Sequence, residues 1–205
     1  MRPTFRLLDD ASIDRILDEA REILSKLGVE VHNPGVLALL GDHGARVDAA
    51  TRRAFIGPDL VDRAVAAAPK GFKLFDVLGN ETHDLSGHKV HFTPGSAAIH
   101  VLDSATGEIR DPSTRDCVEH AKVVAGLPFL HAASTAIVPA DVNEDISDSY
   151  RLYLSLLHCE KPVVTGAFRI ESFEVMKDLQ LAVRGSEKAL RDKPLTVFSC
   201  CPTSP

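Results

Sequence analysis

No stretch of this sequence approaches the eighteen or more apolar residues of a membrane-spanning helix. Its start, Met1-Arg2-Pro3-Thr4-Phe5-Arg6-Leu7-Leu8-Asp9-Asp10, has neither a long apolar core nor a signal-like cleavage site. Positive charge is not in excess either. The 23 Lys+Arg against 29 Asp+Glu leave a formal charge of −6, which gives no general attraction to nucleic acid or an anionic membrane. The four cysteines, Cys117, Cys159, Cys200 and Cys201, lack the regular spacing of a disulfide scaffold. Reduced thiols and a cytoplasmic location are the expectation. The sequence has no Gly-x-x-x-x-Gly-Lys and no Gly-x-Gly-x-x-Gly, so the usual phosphate and dinucleotide loops are excluded. Tandem repeats and low-complexity tracts are absent as well.

What remains is ordinary globular composition, 44% hydrophobic and 25% charged over 205 residues, enough for a sizeable core. Ile13, Ile16, Leu17, Ala20, Ile23, Leu24 and Leu27 recur at three- and four-residue steps and predict a first helix. Asp9 or Asp10 caps its start and Gly28 its end. Val29-Glu30-Val31 reads as extended. Asn33-Pro34 opens a short helix that puts Leu37 and Leu40 inward, and a third runs from about Pro58 to Ala68. After Gly71 the texture changes to short strands at 72–75, 82–84, 89–93 and 97–102, separated by glycine turns. They predict a small antiparallel layer.

A second change comes near Thr114, which is placed to cap a helix carrying Cys117, Val118, Ala121 and Val124. Strand, helix, strand, helix, strand then follow, at 129–135, 146–158, 162–166, 171–184 and 195–200. The first of these helices would point Ile146, Tyr150, Leu154 and Leu157 inward, and the second Phe173, Met176, Leu179 and Val183. This alternation argues for parallel β/α units. Three parallel strands with two crossover helices make a poor closed architecture, so the expected whole is the opening of a longer β/α fold. A small open sheet with a flexible tail is the plainer alternative.

Several strings in this order resemble the amino-terminal part of the trimethylamine methyltransferase family. They are Ile23-Leu24-Ser25-Lys26-Leu27-Gly28-Val29-Glu30-Val31, Gly44-Ala45-Arg46-Val47-Asp48 and Pro58-Asp59-Leu60-Val61-Asp62-Arg63-Ala64 leading into Ala68-Pro69. The central string is His91-Phe92-Thr93-Pro94-Gly95-Ser96, followed by Leu102-Asp103, Thr106-Gly107-Glu108-Ile109-Arg110, Thr114-Arg115-Asp116 and Leu127-Pro128. The resemblance implies an α/β fold: an incomplete TIM-type (β/α)8 barrel, about three units over 114–205, after an α+β appendage of helices and a small antiparallel sheet over 1–113. It implies methyl transfer from a methylated amine, trimethylamine or a quaternary amine such as glycine betaine, to the cobalt corrinoid of a separate protein. On this reading the chain binds no cofactor tightly and no metal, partners a corrinoid-binding protein, and forms homo-oligomers at full length. The family's catalytic positions, that of pyrrolysine included, fall beyond residue 205, so this stretch alone is expected to be inactive. The rival readings are part of another TIM-barrel enzyme, a metal-dependent hydrolase or lyase, and a non-catalytic binding remnant.

Candidate substrate-binding residues come from two places. Phe92, Gly95 and Ser96 combine an aromatic, a permissive backbone and a hydroxyl. A barrel places its chemistry after the carboxyl ends of its strands, which selects Ser134, Thr135, Thr165, Gly166, Ser199 and Cys200, and Glu144 in an acidic loop with Asp141, Asn143 and Asp145. The plainer roles are a hairpin turn for the first group and helix capping by Asn143 or Asp145 for the last. Asp103, Arg110 and Asp116 are expected to pair structurally. His83, His88, His91 and His100 match no usual zinc spacing. His158-Cys159 and Cys200-Cys201 could form a metal or redox site only if the fold brought them together; the plainer role for the cysteines is that of small buried hydrophobes.

Overall fold

Side-chain caps start the first two helices of the amino-terminal third, and a first-turn proline starts the third. In the computed structural model, which describes residues 5–199, the chain forms two compact units, one up to Pro69 and one from Lys70. In the first unit the Asp9 carboxylate accepts from the Ser12 N–H and opens α1 (Asp10–Glu22), which runs on into a π-helical turn, Ile23–Leu27. Gly28 follows at φ +72°, and a Cβ there would lie 2.6 Å from the Ala54 carbonyl oxygen. Both backbone angle and space therefore require glycine. β1 (Val29–Glu30) leads to α2 (Pro34–Asp42), where Asn33 accepts from the Gly35 and Val36 N–H groups. β2 (Arg46–Asp48), β3 (Arg53–Phe55) and α3 (Pro58–Ala67) complete the unit. The sheet order is β1-β3-β2, antiparallel throughout, with fully buried Ala54 opposite both Val29 and Val47. The sequence gives no warning of β2 and β3. The inward face expected for the first helix is also not buried: Ile16, Leu17, Ile23 and Leu27 each remain about half exposed.

The second unit begins with two separate hairpins rather than one antiparallel layer. β4 (Lys73–Phe75) pairs with β5 (Glu81–Asp84), and β6 (Val101–Leu102) with β7 (Ile109–Arg110). Residues 89–93 are not a strand, and of 97–102 only Val101 and Leu102 are. The texture change expected near Thr114 falls inside this unit. α4 (Thr114–Gly126) is capped by Ser113, not Thr114: Ser113 and Asp116 form a reciprocal capping box. Then come β8 (Ala133–Ser134), α5 (Glu144–His158), β9 (Val163–Thr165), α6 (Ser172–Arg184), the short α7 (Glu187–Asp192) and β10 (Thr196–Phe198).

These last strands are parallel, as the alternation predicted, and their order is β10-β9-β8. They form an open sheet with no barrel closure among the described residues. Ala121, Val124, Ala133, Leu152, Cys159, Val163 and Met176 make the core between sheet and helices. A side chain such as Leu152 or Met176 contributes about 2 kcal/mol by leaving water.

The inward face of α5 differs from the apolar reading. Ile146 and Leu157 are more than half exposed, while Ser147, Asp148, Arg151, Leu152, Leu154 and Ser155 are buried. Ion pairing, described below, sets this face.

Two cations close the amino ends of the parallel strands. The Lys161 ammonium donates to the Val124, Leu127 and Leu130 carbonyls at 2.6–2.7 Å. The Arg184 guanidinium donates to the carbonyls of Phe75, Asp76, Val77 and Lys193. Together with Phe75 N–H to Pro194 and Val77 N–H to Glu160, it fixes the β4–β5 hairpin across that end.

Residues 92–98 then run along β8 on the side away from β9. The Phe92 carbonyl accepts from the His131 and Ala132 N–H groups, the Ser134 hydroxyl donates to the Gly95 carbonyl at 2.6 Å, and the Ala98 N–H donates to the Ala136 carbonyl. Ala97 holds φ +58°, a left-handed conformation that costs a non-glycine residue about 1–2 kcal/mol.

Candidate functional site

The carboxyl ends of β8 and β9 bring two hydroxyls together. Thr135 Oγ1 and Thr165 Oγ1 lie 3.0 Å apart, both buried, because the parallel register sets the two strand ends side by side. Ser134 is buried too, with its hydroxyl committed to Gly95. Gly166 follows β9, and a Cβ there would press to 3.2 Å on the Ser199 carbonyl.

Behind these ends lies an ion pair that the sequence reading missed. Asp148 and Arg151, one turn apart on α5, are 1% and 4% exposed and pair at 2.7 Å. Asp148 also accepts, through its other oxygen, from the Phe168 N–H at 2.7 Å and the Arg169 N–H at 3.1 Å. Arg151 donates to the Thr135 carbonyl at 3.1 Å and lies 5.0 Å from the Phe168 ring centroid. Its Nε is buried without a partner, against a cavity of about 10 Å³ also lined by Cys117, His120, Ser134 and Ser155. One pair thus joins the end of β8 to the turn after β9. A charged i, i+3 couple in register with Leu152 and Ser155 was the available signal.

The acidic loop divides its roles. Asn143 caps α5 by accepting from the Asp145 N–H, Asp141 accepts from the Thr114 N–H and hydroxyl, and Asp145 pairs with Arg169. Glu144 stands exposed in the first turn of α5.

Phe92, Gly95 and Ser96 are exposed beside β8. A Cβ on Gly95 would meet open space, so the backbone there does not need glycine; the unusual angle is at Ala97. Arg110 pairs with both expected partners, Asp103 at 3.1 Å and Asp116 at 2.8 Å. The Arg110 guanidinium holds the Asp116 carboxyl far below its usual range.

The histidines gather differently from their sequence spacing. His83, His91 and His131 form a ring cluster with centroids 4.4, 5.3 and 6.3 Å apart, while His100 pairs with Asp111. His83 is 3% exposed, its Nε2 has no partner, and burial followed by the neighbouring imidazoles pushes its pKa down to about 4. Among the described residues, no three His, Cys, Asp or Glu side chains are grouped to hold a metal ion. Burial pushes the Cys117 thiol up to about 11 and the Cys159 thiol upward, which leaves both as unreactive thiols at neutral pH. Cys200 and Cys201 lie outside the described residues. No described helix is long and apolar enough to cross a membrane.

A family model described as trimethylamine methyltransferase (MTTB) matches residues 1–205. The chain belongs to this trimethylamine methyltransferase family. It is 25% identical over 196 residues to the trimethylamine methyltransferase MttB of Desulfitobacterium hafniense (strain DSM 10664 / DCB-2), covering 96% of this chain and 40% of that protein. It is 22% identical over 198 residues to the glycine betaine methyltransferase of Desulfitobacterium hafniense (strain Y51), covering 95% and 40%. The L-carnitine:corrinoid methyltransferase of Eubacterium limosum is 26% identical over 155 residues, 74% of this chain and 31% of that one. The chain therefore spans about two fifths or less of the length of these relatives. Its membership in the trimethylamine methyltransferase family links it to corrinoid-dependent methyl transfer at the family level.

Proposed function

We propose that this chain is the amino-terminal part of an amine:corrinoid methyltransferase, and that residues 114–205 are the first units of its TIM-type barrel. The match of the whole chain to the trimethylamine methyltransferase family carries this reading. The parallel order β10-β9-β8, with polar side chains at the carboxyl ends, supports it.

In this reading a methylated ammonium sits over the ends of β8 and β9. Thr135 and Thr165 shape the floor, Ser134 and the Phe92–Ser96 segment form the flank, and Glu144 draws the cation in. The corrinoid of a separate protein supplies the methyl acceptor. The methyl group leaves the nitrogen, which keeps the bonding electron pair. The work of this chain is to hold the amine and aim its carbon. The amine is trimethylamine or a quaternary amine such as glycine betaine.

Calorimetric titration of trimethylammonium and glycine betaine tests the site. The expected result is binding by the wild-type chain that weakens at least threefold in Thr165→Val or Glu144→Gln, with unfolding midpoints little changed. Equal affinity in the variants refutes this placement of the site.

A further inference from the structure

Phe168 is 68% exposed, yet its backbone N–H is bonded to a carboxylate that is 1% exposed. The Asp148 carboxylate accepts from its N–H and from that of Arg169, and the Arg151 guanidinium lies 5.0 Å from its ring centroid. Both features are poor sources of stability. A buried ion pair roughly breaks even against apolar side chains of the same size. An exposed ring gains no hydrophobic stabilisation from being fixed. A turn that needed only to connect β9 to α6 would require neither.

We propose that Phe168 is the aromatic contact for the cationic nitrogen, and that Asp148 and Arg151 are its positioning residues. This rests on the amine reading given above. An aromatic face attracts a cation through its negative quadrupole, and more strongly where water is excluded. The charges already present fit this role. Arg151, the positive group beside the ring, is neutralised by Asp148, and Arg169, next in the chain, is paired with Asp145. The role at 148 calls for an aspartate rather than an asparagine. An asparagine there has one acceptor oxygen for the Arg151 guanidinium and two backbone N–H groups, and its amide N–H would face another donor.

The test pairs choline with its neutral carbon isostere, in which carbon replaces the charged nitrogen. We expect the wild-type chain to prefer choline. Phe168→Leu should weaken choline at least fivefold while changing the isostere less than twofold, and Phe168→Trp should restore the preference. Asp148→Asn should speed amide hydrogen exchange at Phe168 and Arg169 at least tenfold without a matching change at Leu152 or Met176. If the wild-type chain binds choline and Phe168→Leu leaves that binding unchanged, the proposal is overturned and the amine reading stands. If both ligands weaken equally, Phe168 only fills space and the proposal also fails. If the wild-type chain binds neither of these nor trimethylammonium or glycine betaine, the amine site itself is wrong and this proposal falls with it. If it binds those amines but not choline, the Phe168 contact is wrong and the amine reading stands. Unchanged exchange in Asp148→Asn overturns the positioning role whatever the binding result.

Discussion

Acidification should loosen the second unit through one histidine, well before its tightest carboxylates respond. His83 is buried on β5 with Nε2 unpartnered, and its pKa falls from 6.5 to about 4. The folded chain keeps this imidazole neutral where the unfolded chain takes a proton. Unfolding therefore takes up a proton between about pH 6.5 and 4. The stabilisation is complete above that window and is lost as the pH falls through it. The full shift corresponds to about 3 kcal/mol, and about 1–2 kcal/mol is expected once solvent near the hairpin is allowed for. The Asp84 carboxyl contributes lower down. Its bonds to Lys89 and Ser86 hold it at about 2, so its share is lost only as the pH falls from about 4 toward 2. Urea unfolding at half-unit steps from pH 7.5 to 4 measures the slope. His83→Leu should flatten it by about 1–2 kcal/mol over the window. A proton NMR titration of the His83 ring in the wild-type chain should give a midpoint near 4. Equal slopes in the two proteins, or a midpoint near 6.5, would refute the argument.

Two other outcomes follow from packing. Lys161→Met leaves the Val124, Leu127 and Leu130 carbonyls without their shared donor and should cost about 2–3 kcal/mol in urea unfolding of the second unit. Gly28→Ala combines a positive φ with a 2.6 Å approach to the Ala54 carbonyl oxygen; a loss of about 2 kcal/mol or more is expected, read from the thermal midpoint of the first unit.

Helix starts were legible because their causes are local. Asn33-Pro34 and Pro58 set the first turns of α2 and α3 by themselves, and Gly28 marks a chain reversal. β2 and β3 were not legible. Each has three residues, and their arginines act through long stems: the Arg46 guanidinium lies 3.6 Å from the Phe55 ring centroid, and Arg53 donates to the Leu27 carbonyl. The parallel order of the last three strands followed from the helices between them. The face of α5 did not follow from periodicity. Its buried charges find partners at Thr135 and in the turn at Phe168, 16 and 20 residues away. Counting apolar residues favoured Ile146 and Leu157, which face outward. The candidate site divides in the same way. The strand ends that carry Ser134 and Thr165 follow from the β/α pattern, whereas Asp148, Arg151 and Phe168 become visible only when distant turns are brought together.

The Arg184 contacts also set an order of events during synthesis. The Phe75 carbonyl waits for a guanidinium 109 residues further along the chain. At about 5–20 residues per second, that is an interval of roughly 5–20 s on the ribosome. For that time the β4–β5 hairpin has no anchor at this point, and a two-stranded hairpin alone is marginally stable in water. Its ladder can close in microseconds but must reopen and close many times before the arginine emerges. The last steps in assembling the second unit are therefore timed by translation rather than by the folding speed of the hairpin.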